Sequence, residues 1–226
     1  MDVKYRNNEL TLQERMRTIE EMDRLISQYA DSIPAYHEMK LEARKGNVPI
    51  KSLAKVLETI YYVGEFTVTV IADCAVAQKF FLLSSSRYEK AFARGKLKII
   101  LNEGFKKIYG FNYGKKPSER TAKLWGQISE HVFFFPESLK AEHSAIQAEL
   151  EKYSKDKWWV DERNYETHLD VEALYELRQE DIIEAKVIME SMELIQILLR
   201  LHDFVTKLHR SYCETLFQQY IRQQDK

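Results

Sequence analysis

Glycine and proline are scarce, with seven Gly and four Pro in 226 residues. Tight turns draw on those two residues, so a many-stranded sandwich or barrel is excluded. Cysteine is scarcer still. Cys74 and Cys213 are too few for a disulfide framework and have no CxxC spacing for zinc or redox work. Both fall in helical patterns and are expected to be buried, reduced thiols, which fits a cytoplasmic protein. No charge dominates either: 34 Lys and Arg face 35 Asp and Glu, a formal net charge of −1. The longest apolar stretch, 60–83, is interrupted by Glu65, Asp73 and Lys79, so no membrane span and no membrane partner are expected. The polar opening from Asp2 to Glu9 lacks the apolar core of a secretory signal.

Familiar catalytic signatures are also missing. The glycines never cluster into a phosphate loop, and there is no His-Glu-x-x-His zinc pair. No histidine follows a glutamate at the third position, which removes the Glu-x-x-His pairs of di-iron bundles. A Gly-x-Ser-x-Gly elbow is absent. Metal hydrolase, NTPase, dehydrogenase and serine hydrolase are all demoted, and no cofactor or metal is expected.

What the chain does have is helix. Hydrophobic residues at 45% and charged residues at 31% make an ordinary globular mixture, long enough to bury a core. Three capping boxes appear, at Thr11–Glu14, Ser86–Glu89 and Asp181–Glu184. After the first, Met16, Ile19, Met22, Ile26 and Tyr29 keep helical spacing. Pro34 starts a short helix that fades at Gly46-Asn47, and Pro49 opens a long apolar segment. Within that segment, 66–71 is rich in β-branched residues and could be a strand on propensity. Its neighbours keep helical spacing without turn signals, so helix is the expectation.

The Ser86 helix is expected to end at Gly110, and Ser118 caps one carrying Leu124, Trp125 and Ile128. Another starts near Glu137 and runs to about Lys155. The longest opens at Asp181 and reaches about Tyr220, with a stripe through Ile188, Met192, Ile195, Leu199, Val205, Leu208 and Tyr212. The reading is an all-α helical bundle. Residues 1–48 form an N-terminal helical extension packed on the core, and 49–226 form the main domain.

Charge is unevenly spread. Residues 87–116 hold nine Lys/Arg against two acids, and 161–193 hold eleven acids against three bases. The basic stretch could hold phosphates. The plainer expectation is that Arg87, Lys90, Arg94 and Lys98 form the solvated face of a helix. His131, His143, His202 and His209 are expected to be structural or surface histidines, and Trp158-Trp159 to anchor a loop.

Chemistry is concentrated in the hexad Arg163-Asn164-Tyr165-Glu166-Thr167-His168. Metal-free RNA cleavage needs a base for the 2′-hydroxyl proton, a cation for the phosphate, and a group to orient it. Histidine titrates near neutrality, and arginine offers a planar fork that matches a phosphate. Residues five apart are offset by about 140° on a regular helix. Arg163 and His168 therefore converge only if the helix starts or breaks between them, or if two copies face each other. Asp161, Glu162, Glu166 and Asp170 surround the hexad and are the competing partners for Arg163.

Arg163, Asn164 and His168 resemble the Arg-x4–6-His motif of the HEPN superfamily, all-α domains with ribonuclease members. The order of a long helix pair, a late motif and a final long helix is similar too. The resemblance implies a metal-independent endoribonuclease of bacterial defence or toxin type. His168 would be the general base or acid, Arg163 the phosphate-binding cation, and Asn164 the orienter. It also implies RNA as substrate, a homodimer that joins two motifs, and a possible antitoxin or other protein partner. The stripe Ile188–Tyr212 is the expected dimer face. The alternative is a catalytically inactive helical module that dimerises or binds a partner.

Overall fold

The computed structural model describes residues 9–46, 53–110, 123–132, 135–154 and 182–224, with side chains of 215–224 excepted. Seven α-helices account for the regular structure of these residues, and no strand occurs among them. They are α1 (Leu12–Ala30), α2 (Ser32–Arg44), α3 (Ala54–Leu83), α4 (Arg87–Ile108), α5 (Leu124–Ser129), α6 (Glu137–Tyr153) and α7 (Glu184–Gln224).

Local chemistry explains the ends. At α1, Thr11 Oγ1 accepts from the Glu14 N–H at 3.2 Å while the Glu14 carboxylate accepts from the Thr11 N–H at 2.8 Å. Ser86 and Glu89 repeat the reciprocal pair at the start of α4. Each box satisfies two backbone donors that a helix start otherwise leaves open. Both capped acids titrate below the usual carboxylate range, Glu14 chiefly because the Thr11 hydroxyl also donates to it and Glu89 chiefly because of the Ser86 N–H. Gly110 closes α4 at φ +86°, its N–H donating to the Phe105 carbonyl at 3.0 Å. Few residues except glycine accept that backbone.

α3 is the axis of the fold. Helix is maintained through 66–71 because the β-branched side chains there are packed by neighbouring helices, which overrides local propensity. α7 runs antiparallel along α3, with Gln78 meeting Ser191 at one end and the Tyr61 ring meeting His209 at the other. α4 is antiparallel to α3 and parallel to α7. α6 is antiparallel to α7 through Glu149–Arg200 and Glu142–Lys207. By length and composition α3 could cross a membrane, but more than half of its most apolar window is buried by other helices.

The N-terminal helices form one bent arm along the whole of α3. Asp31 alone separates α1 from α2 and is itself in helical conformation. Successive contacts of the arm, Asp23–Lys79, Tyr36–Gly64 and Arg44–Glu58, descend α3 in order. Met22, Leu25 and Tyr29 join the main core, so the arm is part of the bundle.

α2 buries little apolar surface, with Ala43 its one fully buried hydrophobic residue. It is held by the Tyr36 ring, which lies flat against Gly64, and by His37 and Lys40 on Glu65. A Cβ at position 64 would overlap the Tyr36 ring. Gly64→Ala should therefore destabilise by about 1–3 kcal/mol, the usual scale of overpacking. Tyr36→Ala in the same background should recover part of that loss in a urea melt. A Gly64→Ala melt indistinguishable from wild type would show that the ring moves aside freely.

Candidate functional site

Arg163, Asn164 and His168, together with Trp158, Trp159 and the Asp181 half of the third capping box, lie outside the described residues. The chain on either side is well anchored. Ser154 ends α6 with its N–H on the Leu150 carbonyl at 2.9 Å, and the adjacent Tyr153 ring sits 4.8 Å from that of Phe105 on α4. The described chain resumes at Ile182 just before α7. Both ends border the seam between α4 and α7.

That seam is polar and buried. Glu184, in the first turn of α7, is 1% exposed. Arg15 Nη2 lies 2.9 and 2.8 Å from its two oxygens, Lys90 Nζ lies 2.5 Å from Oε1, and the Leu10 N–H donates at 3.4 Å. One carboxylate thus ties the starts of α1, α4 and α7 together. A negative charge also suits a helix N-terminus.

Further along, Lys98 is 5% exposed and Asn102 is buried beside it. Gln78 donates to Ser191, whose hydroxyl donates on to the Val187 and Ile188 carbonyls. Burial pushes the Glu190 carboxyl above its ordinary range, against the pull of Lys186, Lys98 and Arg94. The expectation that Lys90 and Lys98 lie on a solvated face is therefore wrong. The spacing Ala91–Lys98–Asn102–Phe105 places Lys98 on a buried face of α4, a stripe that was visible in the sequence, and Lys90 reaches Glu184 on α7.

His143, His202 and His209 are structural. The His143 ring stacks on Trp125 at 4.5 Å and 11°. Its Nε2 lies 2.8 Å from Ser129 Oγ, whose own hydrogen goes to the Trp125 carbonyl, so Nε2 carries the proton. His202 Nε2 lies 3.1 Å from the Tyr36 hydroxyl, with Tyr29 and Tyr36 rings edge-on to it. His209 lies against Tyr61, its Nε2 3.1 Å from Cys213 Sγ. Cys74 is buried as expected, whereas Cys213 is exposed, although its neighbour Tyr212 is buried.

Burial pushes the pKa of His143, His202 and His209 below the ordinary value of 6.5, with Asp203 partly restoring that of His202. A depressed folded-state pKa gives stability that is present above the unfolded value and lost as pH falls through the folded one. The urea midpoint should thus be level near pH 8 and drop as pH passes below about 6.5. Glu190 and Asp73, with raised carboxyl pKa values, work in the opposite sense at more acidic pH. A midpoint unchanged between neutral pH and the onset of carboxylate titration would contradict this.

A shallow cleft of about 270 Å³ opens between α6 and α7, lined by Glu149, Lys152, Tyr153, Glu193, Gln196, Ile197 and Arg200. Its charges are mixed, and Arg200 is already paired with Glu149. No histidine reaches it. Among the described residues no group of three or more His, Cys, Asp or Glu could hold a metal ion. Fold and side chains together define an all-α helical bundle with a charged, buried seam between α4 and α7. No protein-family model, curated protein or solved structure matches the chain.

Proposed function

We propose that this bundle is a metal-independent endoribonuclease of HEPN type, in a bacterial defence or toxin setting. The observation that carries the reading is the hexad from Arg163 to His168 in an all-α chain without a glycine-rich phosphate loop, a His-Glu-x-x-His pair or a CxxC. His168 moves the 2′-hydroxyl proton, Arg163 meets the phosphate with two parallel N–H donors, and Asn164 orients it. RNA is the substrate, and an antitoxin is the protein partner that would restrain it. With one motif per chain, two copies together supply both a base and an acid. They cannot meet through Ile188–Tyr212, because Ile188, Ile195, Val205, Leu208 and Tyr212 are buried in the protein's own core.

A second reading is favoured by one specific observation. Lys90 and Lys98 of the basic segment are consumed inside the fold, and Lys106 pairs with Glu103. Fewer cations are left to hold a polyanion than the sequence suggested. On that reading the chain is an inactive helical module that binds a protein partner. Purified protein incubated with RNA in EDTA separates the two. Cleavage that leaves 2′,3′-cyclic phosphate ends supports the enzyme, and intact RNA at high protein concentration supports the module.

A further inference from the structure

Among the described residues, one face of α3 is left uncovered where the rest of that helix is packed. Asp73, Val76, Phe80 and Leu83 follow each other at spacings of three, four and three, which places them on one stripe. Val76 is 52%, Phe80 48% and Leu83 59% exposed. Toward the N-terminus of α3 the same stripe is closed, because Lys40 of α2 and Lys107 of α4 both reach over the Tyr62 ring. On one side the open part is bordered by α1 through Lys79–Asp23. On the other it runs into α4, where Phe92 is 39% exposed with Lys96 Nζ 5.1 Å above its ring. Isolated exposed apolar residues need no explanation, but a contiguous set on adjoining helices marks an interaction surface.

Two charges on this face say what covers it. Asp73 has no ion-pair partner among the described residues, and its carboxyl is held above its ordinary range by the apolar surroundings. Lys96 has Phe92 but no carboxylate partner among the described residues. α4 runs antiparallel to α3 with Gly104 against Val70, so Lys96 stands level with about residue 78 of α3. It is therefore roughly 7–8 Å along the axis from Asp73, at 1.5 Å per residue. The midpoint between the two charges falls close to Val76. A two-fold axis through that point sets each Asp73 against the Lys96 of the other copy and packs Val76, Phe80 and Leu83 between the copies. An isologous interface requires such self-complementarity.

We propose that the α3–α4 face around Val76 is where two copies of this chain dock, apolar at the centre and cross-matched by Asp73 and Lys96. The surface is argued from α3 and α4 alone. Because the ribonuclease reading also needs two copies, a monomeric wild type counts against both, whereas the Phe80, Asp73 and Lys96 variants test this face by itself. Analytical ultracentrifugation of the full chain at micromolar concentration tests it, with circular dichroism to confirm that each variant is folded. The wild type should sediment as a dimer and Phe80→Asp as a monomer. Asp73→Lys and Lys96→Glu should each weaken the dimer by about tenfold or more, the equivalent of 1.4 kcal/mol. An equimolar mixture of those two single variants should recover it, because every contact in the mixed dimer is again opposite in sign. The proposal is overturned by a monomeric wild type, by a dimer indifferent to all three changes, or by charge variants that fail to rescue each other. A monomer that binds neutral lipid vesicles through Phe80 would likewise overturn it and assign the face to a bilayer.

Discussion

Glu184→Ala should destabilise the protein by about 3 kcal/mol, the low end of the range for removing one partner from a buried ion pair. The low end applies because Arg15 and Lys90 both keep some contact with water, at 27% and 18% side-chain exposure, and can partly resolvate. The loss also reaches three elements at once, since the carboxylate joins Leu10 and Arg15 at the start of α1 and Lys90 on α4 to the first turn of α7. Urea denaturation monitored by circular dichroism measures it. A double change of Arg15→Ala with Glu184→Ala should cost clearly less than the two single losses added, because the residues share one network. Additive losses would mean that Arg15 and Glu184 act separately and that the cluster is not a joint.

His168→Ala should lower RNA cleavage by about 10²-fold or more while leaving the urea midpoint unchanged, the usual scale for losing a general acid or base. Arg163→Lys should also be damaging, since an ammonium cannot offer the phosphate two parallel donors. Stability and activity together distinguish the two roles open to Arg163. A catalytic arginine gives a stable, inactive variant. An arginine held by Asp161, Glu162 or Glu166 gives an unstable one, because its removal leaves acids facing each other. Cleavage that persists unchanged in both variants would remove the hexad from the mechanism.

Much of the fold was legible because its signals are local. Thr11–Glu14 and Ser86–Glu89 form the reciprocal boxes that their spacing announces, and Gly110 takes the positive φ that a helix end favours. Periodicity judged 66–71 correctly as helix against its own propensity. Reading failed where a residue's role depends on distant chain. Glu184 looked like the second half of a capping box, yet its carboxylate is taken by Arg15 and Lys90, 169 and 94 positions away. Lys98 looked solvated because lysine almost always is. The stripe on α7 was correctly found and wrongly assigned to a partner, since periodicity reveals an apolar face without saying what it meets. Cys213 was expected to be buried because it continues the helical pattern, but it falls one residue past Tyr212, on the outward side. Of the candidate site, the choice of residues rests on sequence alone.

The central position of α3 has a consequence for how the protein is made. Its burial is completed by α7, whose contacts run from Ser191 to Tyr212 near the far end of the chain. Synthesis at about 5–20 residues per second reaches Tyr212 roughly 6–25 s after Leu83 has been added. Until α7 is added, the α3 surfaces that it meets, among them Gln78 and Tyr61, lack their native partners, and the earlier helices cover only the other sides. The nascent chain therefore carries an apolar helix with one open flank until α7 has been made. Chaperone occupancy during translation should concentrate on that flank and end when the last helix arrives.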